Sequence, residues 1–148
     1  MLLYTIGFTQ KSAEKFFETL KFRGVKMLVD VRLFNSTQLA GFAKKNDLKY
    51  FLKAICNCEY AHCVNYAPTK KILDGYKKEK ITWNEYEFQY KNLMDERKSV
   101  EDFIKCFYDV YDPVCLLCAE PTPEHCHRRL FAELIKEELK DKVEIEHL

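Results

Sequence analysis

The chain has 148 residues, seven cysteines and a formal net charge of +1 at pH 7, and 47% of its residues are hydrophobic. This length predicts a single domain over 1–148, and the apolar, aromatic-rich composition excludes a disordered or fibrous chain. The near-zero charge argues against a protein that coats nucleic acid by bulk electrostatics, although it leaves room for a local basic patch.

The cysteines and the opening residues predict the cellular compartment. An odd number of cysteines cannot all pair within the chain. The first residues lack the basic and apolar regions of a signal peptide, and no apolar run approaches the roughly 18 residues of a membrane-spanning helix. We therefore predict a cytoplasmic protein with reduced thiols and without a membrane partner.

The first part of the chain predicts a β-α-β unit. Residues 2–8 are apolar and β-prone, which indicates a buried strand. Ser12 is typical of a helix N-cap and Gly24 of a helix C-terminal stop, so a helix is predicted between them. Residues 25–31 predict a second strand, and a right-handed crossover between the two strands makes them parallel.

The middle of the chain is predicted to be mostly helical. After a loop at 33–43, residues 44–56 predict a helix and residues 58–64 a short strand. The segment 69–111 carries apolar residues at helical spacing and predicts several helices.

The last part of the chain predicts a strand, a helix and a second strand. The unbroken apolar run 113–119 is typical of a strand covered on both faces. Thr122 and Pro123 are favoured at the N-cap and the first helical position, so a helix is predicted from there to about Lys140. With a closing strand at 142–147, the pattern predicts an α/β fold: a single three-layer domain with a parallel or mixed sheet of about five strands flanked by helices.

Open α/β sheets bind ligands at the carboxyl ends of their strands. Several polar or small residues fall at the predicted strand ends. They are Gly7 and Thr9 after the first strand, Asp30, Arg32 and Ser36 after the second, and Cys118 and Glu120 after the run at 113–119. If the strands are parallel, these residues share one edge of the sheet with Cys126, His127 and Arg128 in the next helix. We therefore predict the functional site at this edge.

Cys118 and Cys126 flank the predicted strand-to-helix turn, and three interpretations stay open. A thiol at a helix N-terminus beside His and Arg has a lowered pKa and can act as a nucleophile, with Glu120 or His127 as general acid or base. Alternatively, these four residues supply ligands to zinc. Because neighbours on a helix point about 100° apart, Cys126 and His127 would rarely share one ion, and we assign no metal ligand. In the third interpretation both cysteines pack as small hydrophobes.

Asp30 and Arg32 alternate along the second strand and therefore share a face. Either Arg32 binds an anionic group that Asp30 orients or deprotonates, or the two residues form a structural ion pair at the strand end. Arg128 together with Arg32 would clamp a carboxylate or phosphate. The alternative for Arg128 is a solvated or salt-bridged helix residue.

The other cysteines predict core packing. Cys56, Cys58 and Cys63 lack the paired spacing of a zinc knuckle. Cys106 and Cys115 lie in apolar patterns, so we predict that both are core residues.

Two further groups favour ordinary structural roles. Trp83, Tyr86 and Tyr90 lie at helical spacing, which indicates core packing more often than a stacking platform. The lysine-rich stretch at 70–80 is interpreted as a solvated helix face, with phosphate contact as the alternative.

Four motifs of the chain resemble one family in their order and spacing. They are YTIGFT at 4–9, LVDVR at 28–32 followed by Ser36, LLCAE at 116–120 and CHR at 126–128, before the closing His147. This pattern is similar to the family called domain of unknown function 488. The resemblance implies a compact α/β domain of bacteria and archaea without an established reaction.

The chain also departs from the family at two places. Phe8 stands where the family has a histidine, so a role for that histidine does not carry over. A Gly-rich segment expected after the third strand is replaced near Ala67 and Pro68, and we predict a divergent helical segment at about 69–111.

Together, these residues predict an enzyme that acts on a small anionic or nucleotide-like substrate. Arg32 and Arg128 would bind the anion. Proton transfer would fall to Asp30 or Glu120, and a cysteine of the 118–126 turn would be the nucleophile or part of the pocket wall. The alternatives are a non-catalytic nucleotide or nucleic-acid binding module and a metal-stabilised domain. The sequence requires no cofactor, and zinc is the metal that its residues would suit best.

Overall fold

A computed structural model describes residues 1–36 and 40–148 of the chain. The strands are β1 (Leu2–Gly7), β2 (Met27–Asp30), β3 (Glu59–His62), β4 (Val114–Cys118) and β5 (Glu144–His147). The helices are α1 (Ala13–Phe22), α2 (Lys45–Phe51), α3 (Lys70–Lys77), α4 (Trp83–Glu96), α5 (Ser99–Phe103) and α6 (His127–Leu139). α2 and α5 continue into π-helical turns at Leu52–Cys56 and Ile104–Tyr108. Short 3-10 turns lie at Gly41–Ala43, Val64–Tyr66 and Lys140–Lys142.

The five strands form one parallel sheet in the order β3-β2-β4-β1-β5. Gly7 at the end of β1 lies opposite Cys118 at the end of β4, and Asp30 at the end of β2 lies opposite Leu117. The predicted α/β fold with about five strands is confirmed, and three strand ends meet at one edge. We call this edge the carboxyl edge.

The strand order places a topological switch point between β2 and β4. The chain leaves β2 towards β3 on one side, and it leaves β4 across β1 towards β5 on the other. Because crossovers are right-handed, connections that run in opposite directions place their helices on opposite faces of the sheet. A crevice therefore lies between the exits of β2 and β4, where open α/β sheets bind ligands.

The core occupies both faces of the sheet. On one face, α1 and α2 pack against strand residues that include Tyr4 and Leu117. On the other face, α3, α4, α5 and α6 pack around residues that include Val29 and Leu116. All five residues of β4 are buried, as expected for a strand covered on both sides.

Most predicted helix ends and helical segments are confirmed. The Ser12 hydroxyl accepts a hydrogen bond from the Lys15 backbone N–H at 3.1 Å and caps α1. Gly24 follows this helix with a φ of +64°, a conformation that favours glycine. The segment 69–111 contains α3, α4 and α5, as its periodicity predicts. Part of the predicted loop at 33–43 lies outside the described residues.

The predicted start of the last helix is wrong. α6 begins at His127 rather than at Pro123, and Cys126 before it has an extended backbone with φ −137° and ψ 135°. The Cys126 backbone N–H donates to the Pro123 carbonyl at 3.2 Å and closes a turn. The Thr-Pro pair therefore forms a bend that carries the chain over the carboxyl edge, and the helix begins only after it.

Candidate active site

The carboxyl edge encloses a cavity of about 820 Å³, which we call the edge cavity. Its floor comes from the exits of β2 and β4, with Arg32 on one side and Cys118 on the other. Its outer wall comes from α3, α4 and the turn before α6. The other lining residues are Phe8, Leu33, Phe34, Ser36, Leu73, Tyr76, Lys77, Glu79, Tyr86, Ala119, Glu120, His125, Cys126 and His127.

Asp30 and Arg32 form a buried ion pair beside this cavity. Arg32 Nε donates to Asp30 Oδ1 at 2.8 Å, and Arg32 Nη2 donates to Asp30 Oδ2 at 2.6 Å. The Tyr60 hydroxyl donates to the same Oδ2 at 2.7 Å. The Phe8 ring lies against the guanidinium, 5.0 Å from its central carbon. The ion pair is therefore present, and Arg32 lines the cavity at the same time.

The Arg32 guanidinium keeps its charge and one unpaired donor group. Burial alone would lower the pKa of Arg32, but the hydrogen bonds and charge of Asp30 outweigh it and raise the pKa. Nη2 also donates to the Ala43 carbonyl at 2.8 Å. Nη1 is buried and has no hydrogen-bond partner within residues 1–36 and 40–148. A donor of this kind can serve an anionic ligand.

Two histidines hold the backbone that presents Arg32. His127 Nε2 lies 2.7 Å from the Val31 carbonyl oxygen, and His62 Nε2 lies 2.7 Å from the Arg32 carbonyl oxygen. Because a carbonyl oxygen only accepts hydrogen bonds, both Nε2 atoms carry a proton and donate it. The neutral His127 ring therefore has its lone pair on Nδ1.

Cys118, Cys126 and His127 form a buried group in the cavity wall, which we call the Cys-His cluster. One ligand atom of each residue lies within 4.8 Å of the others, and each residue is more than nine-tenths buried. The expectation that Cys126 and His127 diverge is wrong. Cys126 precedes the helix in an extended conformation, so its sulfur and the His127 ring reach the same place.

The contact between Cys118 and His127 is not a linear hydrogen bond. Cys118 Sγ lies 3.8 Å from Nδ1 and 3.9 Å from Nε2 of His127. A sulfur on the lone-pair axis of Nδ1 would be clearly closer to Nδ1 than to Nε2. The sulfur therefore faces the ring, and the position of His127 is set by its bond to Val31.

The two cysteines of the cluster have opposite acidities. A hydrogen bond from the Cys126 thiol lowers the pKa of Cys118. Burial opposes this effect, while the Arg128 charge and the backbone N–H groups of Ala119 and Glu120 reinforce it. Burial and the neighbouring sulfur raise the pKa of Cys126 well above its ordinary value.

Arg128 lies behind the cluster, outside the cavity lining. Its side chain is fully buried. Nη1 donates to the Glu120 carbonyl oxygen at 2.6 Å and contacts Cys126 Sγ at 3.5 Å, and Nε donates to Thr5 Oγ1 at 3.4 Å. Arg128 thus fixes the turn after β4 and places a positive charge near both sulfurs. It has no carboxylate partner among the residues described.

Thr5 extends this contact to His147 at the end of β5. Thr5 Oγ1 lies 2.7 Å from His147 Nδ1. Arg128 Nε donates to the same oxygen at 3.4 Å, so the Thr5 hydroxyl links Arg128 to His147. Burial lowers the pKa of His147, and the positive charge of Arg128 lowers it further.

Of the remaining predicted site residues, two line the cavity and two contact the turn after β4. Ser36 and Glu120 are exposed and line the edge cavity. Gly7 and Thr9 lie outside its lining. A Cβ at residue 7 would be 1.7 Å from the Glu120 carbonyl oxygen, and the Thr9 hydroxyl donates to the Ala119 carbonyl at 2.6 Å. Gly7 and Thr9 therefore support the turn that carries the cavity residues.

Tyr76, Trp83, Tyr86 and His125 form an aromatic wall of the cavity. The sequence analysis weighed Trp83 and Tyr86 as a stacking platform but favoured core packing, and it missed Tyr76 and His125. Trp83 contacts Tyr76, Tyr86 and His125, with ring centroids 5.4, 4.8 and 5.1 Å apart. Tyr86 is buried, as predicted, yet it also lines the cavity. The sequence feature that could have indicated this wall is the single tryptophan, Trp83, which lies between Tyr76 and Tyr86 in the chain. No sequence pattern predicts that His125, which is distant in the chain, contacts Trp83.

The other cysteines lie apart from the cavity. Cys58 and Cys115 are buried, as predicted, whereas Cys106 is exposed and its assignment to the core is wrong. Burial raises the pKa of Cys58 and of Cys63 to about 12. Among the residues described, the Cys-His cluster is the one group of three or more potential metal ligands that converges.

A second cavity and the lysine-rich stretch at 70–80 contain none of the predicted site residues. A second cavity of about 590 Å³ lies between α1 and α2, on the opposite face of the sheet, and is lined by apolar side chains that include Phe17 and Phe51. In the lysine-rich stretch, Lys70 pairs with Asp74, as expected for a solvated helix face. Lys77 lines the edge cavity.

The fold and the site together define a class: a doubly wound α/β domain with a cavity at its switch point and a buried Cys-His cluster in the cavity wall. The chain belongs to the family described as domain of unknown function DUF488, whose model matches residues 12–135. This match extends through 69–111, and the divergence of that segment stays a prediction. Searches of curated proteins and of solved structures found no match. No helix within 1–36 and 40–148 is long and apolar enough to cross a membrane.

Proposed function

We propose that the chain is an enzyme that acts on a small anionic, nucleotide-like substrate in the edge cavity, with Cys118 as its nucleophile. One observation carries this proposal. The cavity at the switch point is lined both by a thiol and by a buried guanidinium with an unpaired donor, Arg32 Nη1. A nucleophile and an anion-binding group at one cavity are two of the parts that group-transfer chemistry requires.

Cys118 has the surroundings of a reactive thiol. Reactive cysteines lie in electropositive sites with access to a ligand. Arg128 lies behind the cluster, Arg32 lies across the floor, and the cavity gives access to the sulfur. In the proposed reaction the Cys118 thiolate attacks the phosphorus or acyl carbon of the substrate, the bond from that atom to the leaving-group oxygen breaks, and the leaving group departs with a proton. Water then attacks the same atom of the covalent adduct, the bond to sulfur breaks, and the acid product and the free thiolate are released.

Arg32 is the proposed anion-binding residue, and Asp30 is its positioning residue. Asp30 engages Nε and Nη2 of Arg32, which fixes the plane of the guanidinium. Nη1 is buried without a partner among the described residues, and a phosphate or carboxylate oxygen that displaces the groups covering it would accept its hydrogen bond. Arg128 is proposed as a positioning residue, since it lies outside the cavity lining and its Nη1 and Nε contact Glu120, Cys126 and Thr5. Its Nη2 is buried without a hydrogen-bond partner among the described residues, but it lies on a residue that does not line the cavity.

Proton transfer is assigned to Glu120. Glu120 lines the cavity two residues after Cys118 and is exposed, so its carboxylate is proposed to reach a leaving group or a water molecule. His127 is proposed as a positioning residue because its Nε2 proton is committed to Val31. Ser36 is proposed as a further polar contact at the cavity mouth.

The aromatic wall favours a nucleotide-like substrate over a bare anion. Tyr76, Tyr86 and His125 line the cavity. Aromatic side chains stack on nucleobases of any sequence. A base held at this wall would leave the phosphate to face Arg32. The same features support a non-catalytic nucleotide-binding module, which would need Arg32 and the wall but not the Cys118 thiol.

The test compares binding and turnover in the full chain. AMP binding is measured by calorimetry, and turnover is measured on a panel of nucleoside phosphates and activated phosphate and acyl esters. The variants are Cys118→Ser, Arg32→Lys and the control Cys106→Ser, which changes an exposed thiol away from the cavity. We expect Cys118→Ser to keep AMP binding and lose at least about a hundredfold in turnover. Arg32→Lys should weaken binding about tenfold or more, and Cys106→Ser should match the wild type.

Two results would overturn the enzyme proposal. The first is full turnover in Cys118→Ser. The second is AMP binding by the wild type without turnover of any panel member, which would instead support the binding module. A nucleic-acid partner would show itself separately, as binding that weakens steeply with salt.

A further inference from the structure

We propose that the Cys-His cluster is a binding site for a borderline-soft divalent metal ion of the Zn²⁺ class. The ligands would be Cys118 Sγ, Cys126 Sγ and His127 Nδ1. This inference goes beyond the proposed function, and it does not require that function to be correct.

The spacing of the three atoms suits a tetrahedral ion. In a tetrahedral zinc site two sulfur ligands lie about 3.8 Å apart, and a sulfur and a nitrogen ligand lie about 3.6 Å apart. One ligand atom of each residue lies within 4.8 Å of the others, and Cys118 Sγ is 3.8 Å from Nδ1 and 3.9 Å from Nε2 of His127. The separations are therefore close to those of a zinc site, but the Cys118 sulfur has to move from the ring face towards the Nδ1 lone pair for both atoms to bind one ion.

The surroundings of His127 match those of a metal-binding histidine. Such a histidine usually donates its second ring N–H to a carboxylate or a backbone carbonyl, which fixes the ring and its tautomer. His127 Nε2 donates to the Val31 carbonyl at 2.7 Å. In the neutral ring Nδ1 therefore carries the lone pair and is the nitrogen that can bind an ion. Cys118 Sγ does not lie on the axis of this lone pair.

The charge around the sulfurs also suits two thiolate ligands. Arg128 Nη1 contacts Cys126 Sγ at 3.5 Å, and the Arg128 side chain is fully buried. A buried guanidinium stabilises a second thiolate that an apolar site would not tolerate. The metal ion and Arg128 would therefore offset the electrostatic repulsion between the two neighbouring thiolates.

The fourth position of the metal would face the edge cavity. All three proposed ligands line that cavity. Structural zinc sites have four protein ligands, whereas catalytic ones have three and leave one position for water or substrate. An ion in the Cys-His cluster would thus take a water molecule or an anion as its fourth ligand. It would also engage the Cys118 sulfur, so metal binding and thiol nucleophilicity exclude each other in one molecule.

The direct test titrates the reduced, metal-free full chain with Co²⁺ and then with Zn²⁺. Tetrahedral Co²⁺ bound to thiolates shows intense visible bands and a sulfur-to-cobalt charge-transfer band. We expect one equivalent of Co²⁺ to produce these bands and one equivalent of Zn²⁺ to remove them. Cys118→Ser and Cys126→Ser should each lose about half of the charge-transfer intensity, because one of two thiolates is gone. The control Cys106→Ser should keep the full spectrum.

A second measurement uses only the wild-type chain, in case a variant fails to fold. Alkylation is followed residue by residue by mass spectrometry, with and without Zn²⁺. We expect Zn²⁺ to slow alkylation of Cys118 and Cys126 at least about tenfold and to leave Cys106 unchanged. Equal protection of all cysteines, or no charge-transfer band at one equivalent, would overturn the metal site. A chain that binds Co²⁺ in this way yet turns over no substrate would refute the proposed function and leave the metal site standing.

Discussion

Gly7 lies directly against the backbone carbonyl of Glu120, and a Cβ at residue 7 would sit 1.7 Å from that oxygen. The same carbonyl accepts a hydrogen bond from Arg128 Nη1 at 2.6 Å. This contact joins the end of β1 to the turn after β4. Any side chain at residue 7 would push the turn away and separate Arg128 from its acceptor.

Gly7→Ala is therefore expected to lower the free energy of unfolding by about 2–3 kcal/mol, since the added methyl group meets backbone rather than a flexible side chain. Urea unfolding measures the change. The matched control is Gly75→Ala in α3, where a Cβ would make an ordinary 3.5 Å contact with Ile81. This control should raise stability by about 0.5–1 kcal/mol. Equal effects of the two substitutions would contradict the close-contact argument.

Asp30→Ala is expected to cost about 3–5 kcal/mol of stability, because it leaves the buried Arg32 charge without its partner. Urea unfolding again provides the measurement. The control is Glu146→Ala, which breaks the half-exposed Arg23–Glu146 pair and should cost at most about 1 kcal/mol. The double variant Asp30→Ala with Arg32→Met should be more stable than Asp30→Ala alone. A double variant that is less stable would show that Asp30 acts through something other than Arg32.

The stability of the chain should fall in mildly acidic solution because of His147. The fold lowers the pKa of His147 from its ordinary value of 6.5, so the folded chain binds fewer protons than the unfolded chain just below that pH. The contribution is present above this value and is lost as the pH falls through it towards the folded pKa. Arg128 and Arg129 favour the neutral ring, and Glu124 and Glu133 oppose them.

Urea midpoints measured at a series of pH values check this prediction. His147→Gln, which keeps a hydrogen-bond acceptor for Thr5, should lose less stability than the wild type over the same acid range. His125→Gln changes an exposed histidine outside this contact and should follow the wild-type curve. Parallel curves for the wild type and His147→Gln would contradict the assignment.

The aromatic wall should contribute to nucleotide affinity through His125. His125 is exposed, lines the edge cavity and contacts Trp83. His125→Ala is expected to weaken AMP binding by about 1–2 kcal/mol, or about five- to thirtyfold in Kd, through the loss of one stacking surface. Calorimetry provides the measurement. Phe88→Ala, which removes an exposed aromatic ring outside the cavity, is the control and should leave AMP affinity unchanged.

Hydrophobic runs and helix-capping residues predicted the strands and helices correctly where tertiary contacts favour the same local conformation. The apolar run at 113–119 became a strand with both faces buried, and the Ser12 cap began a helix as predicted. The Thr122–Pro123 signal failed because those residues suit a bend as well as a helix start. Which of the two forms depends on where Arg128 must lie to reach the Glu120 carbonyl, and that is a tertiary constraint.

The position of the site was predictable, but its assembly was not. Parallel strands bring Asp30, Arg32 and Cys118 to one edge, and this follows from the order of strands and helices. The order of strands and helices does not predict that the two arginines take different positions. Arg32 lines the cavity, whereas Arg128 lies outside its lining. The convergence of Cys126 with His127 depends on one extended residue before α6, which no spacing rule contains.

The floor and the outer wall of the edge cavity come from different parts of the chain, so the two can change independently among family members. Its floor comes from the ends of β2 and β4, which the core holds in place, whereas much of its outer wall comes from the single stretch between β3 and β4. Under the proposed function, reaction chemistry and ligand preference are thus encoded in separate parts of the chain. Exchanging the segment 69–111 between family members should transplant ligand preference onto an unchanged reactive floor.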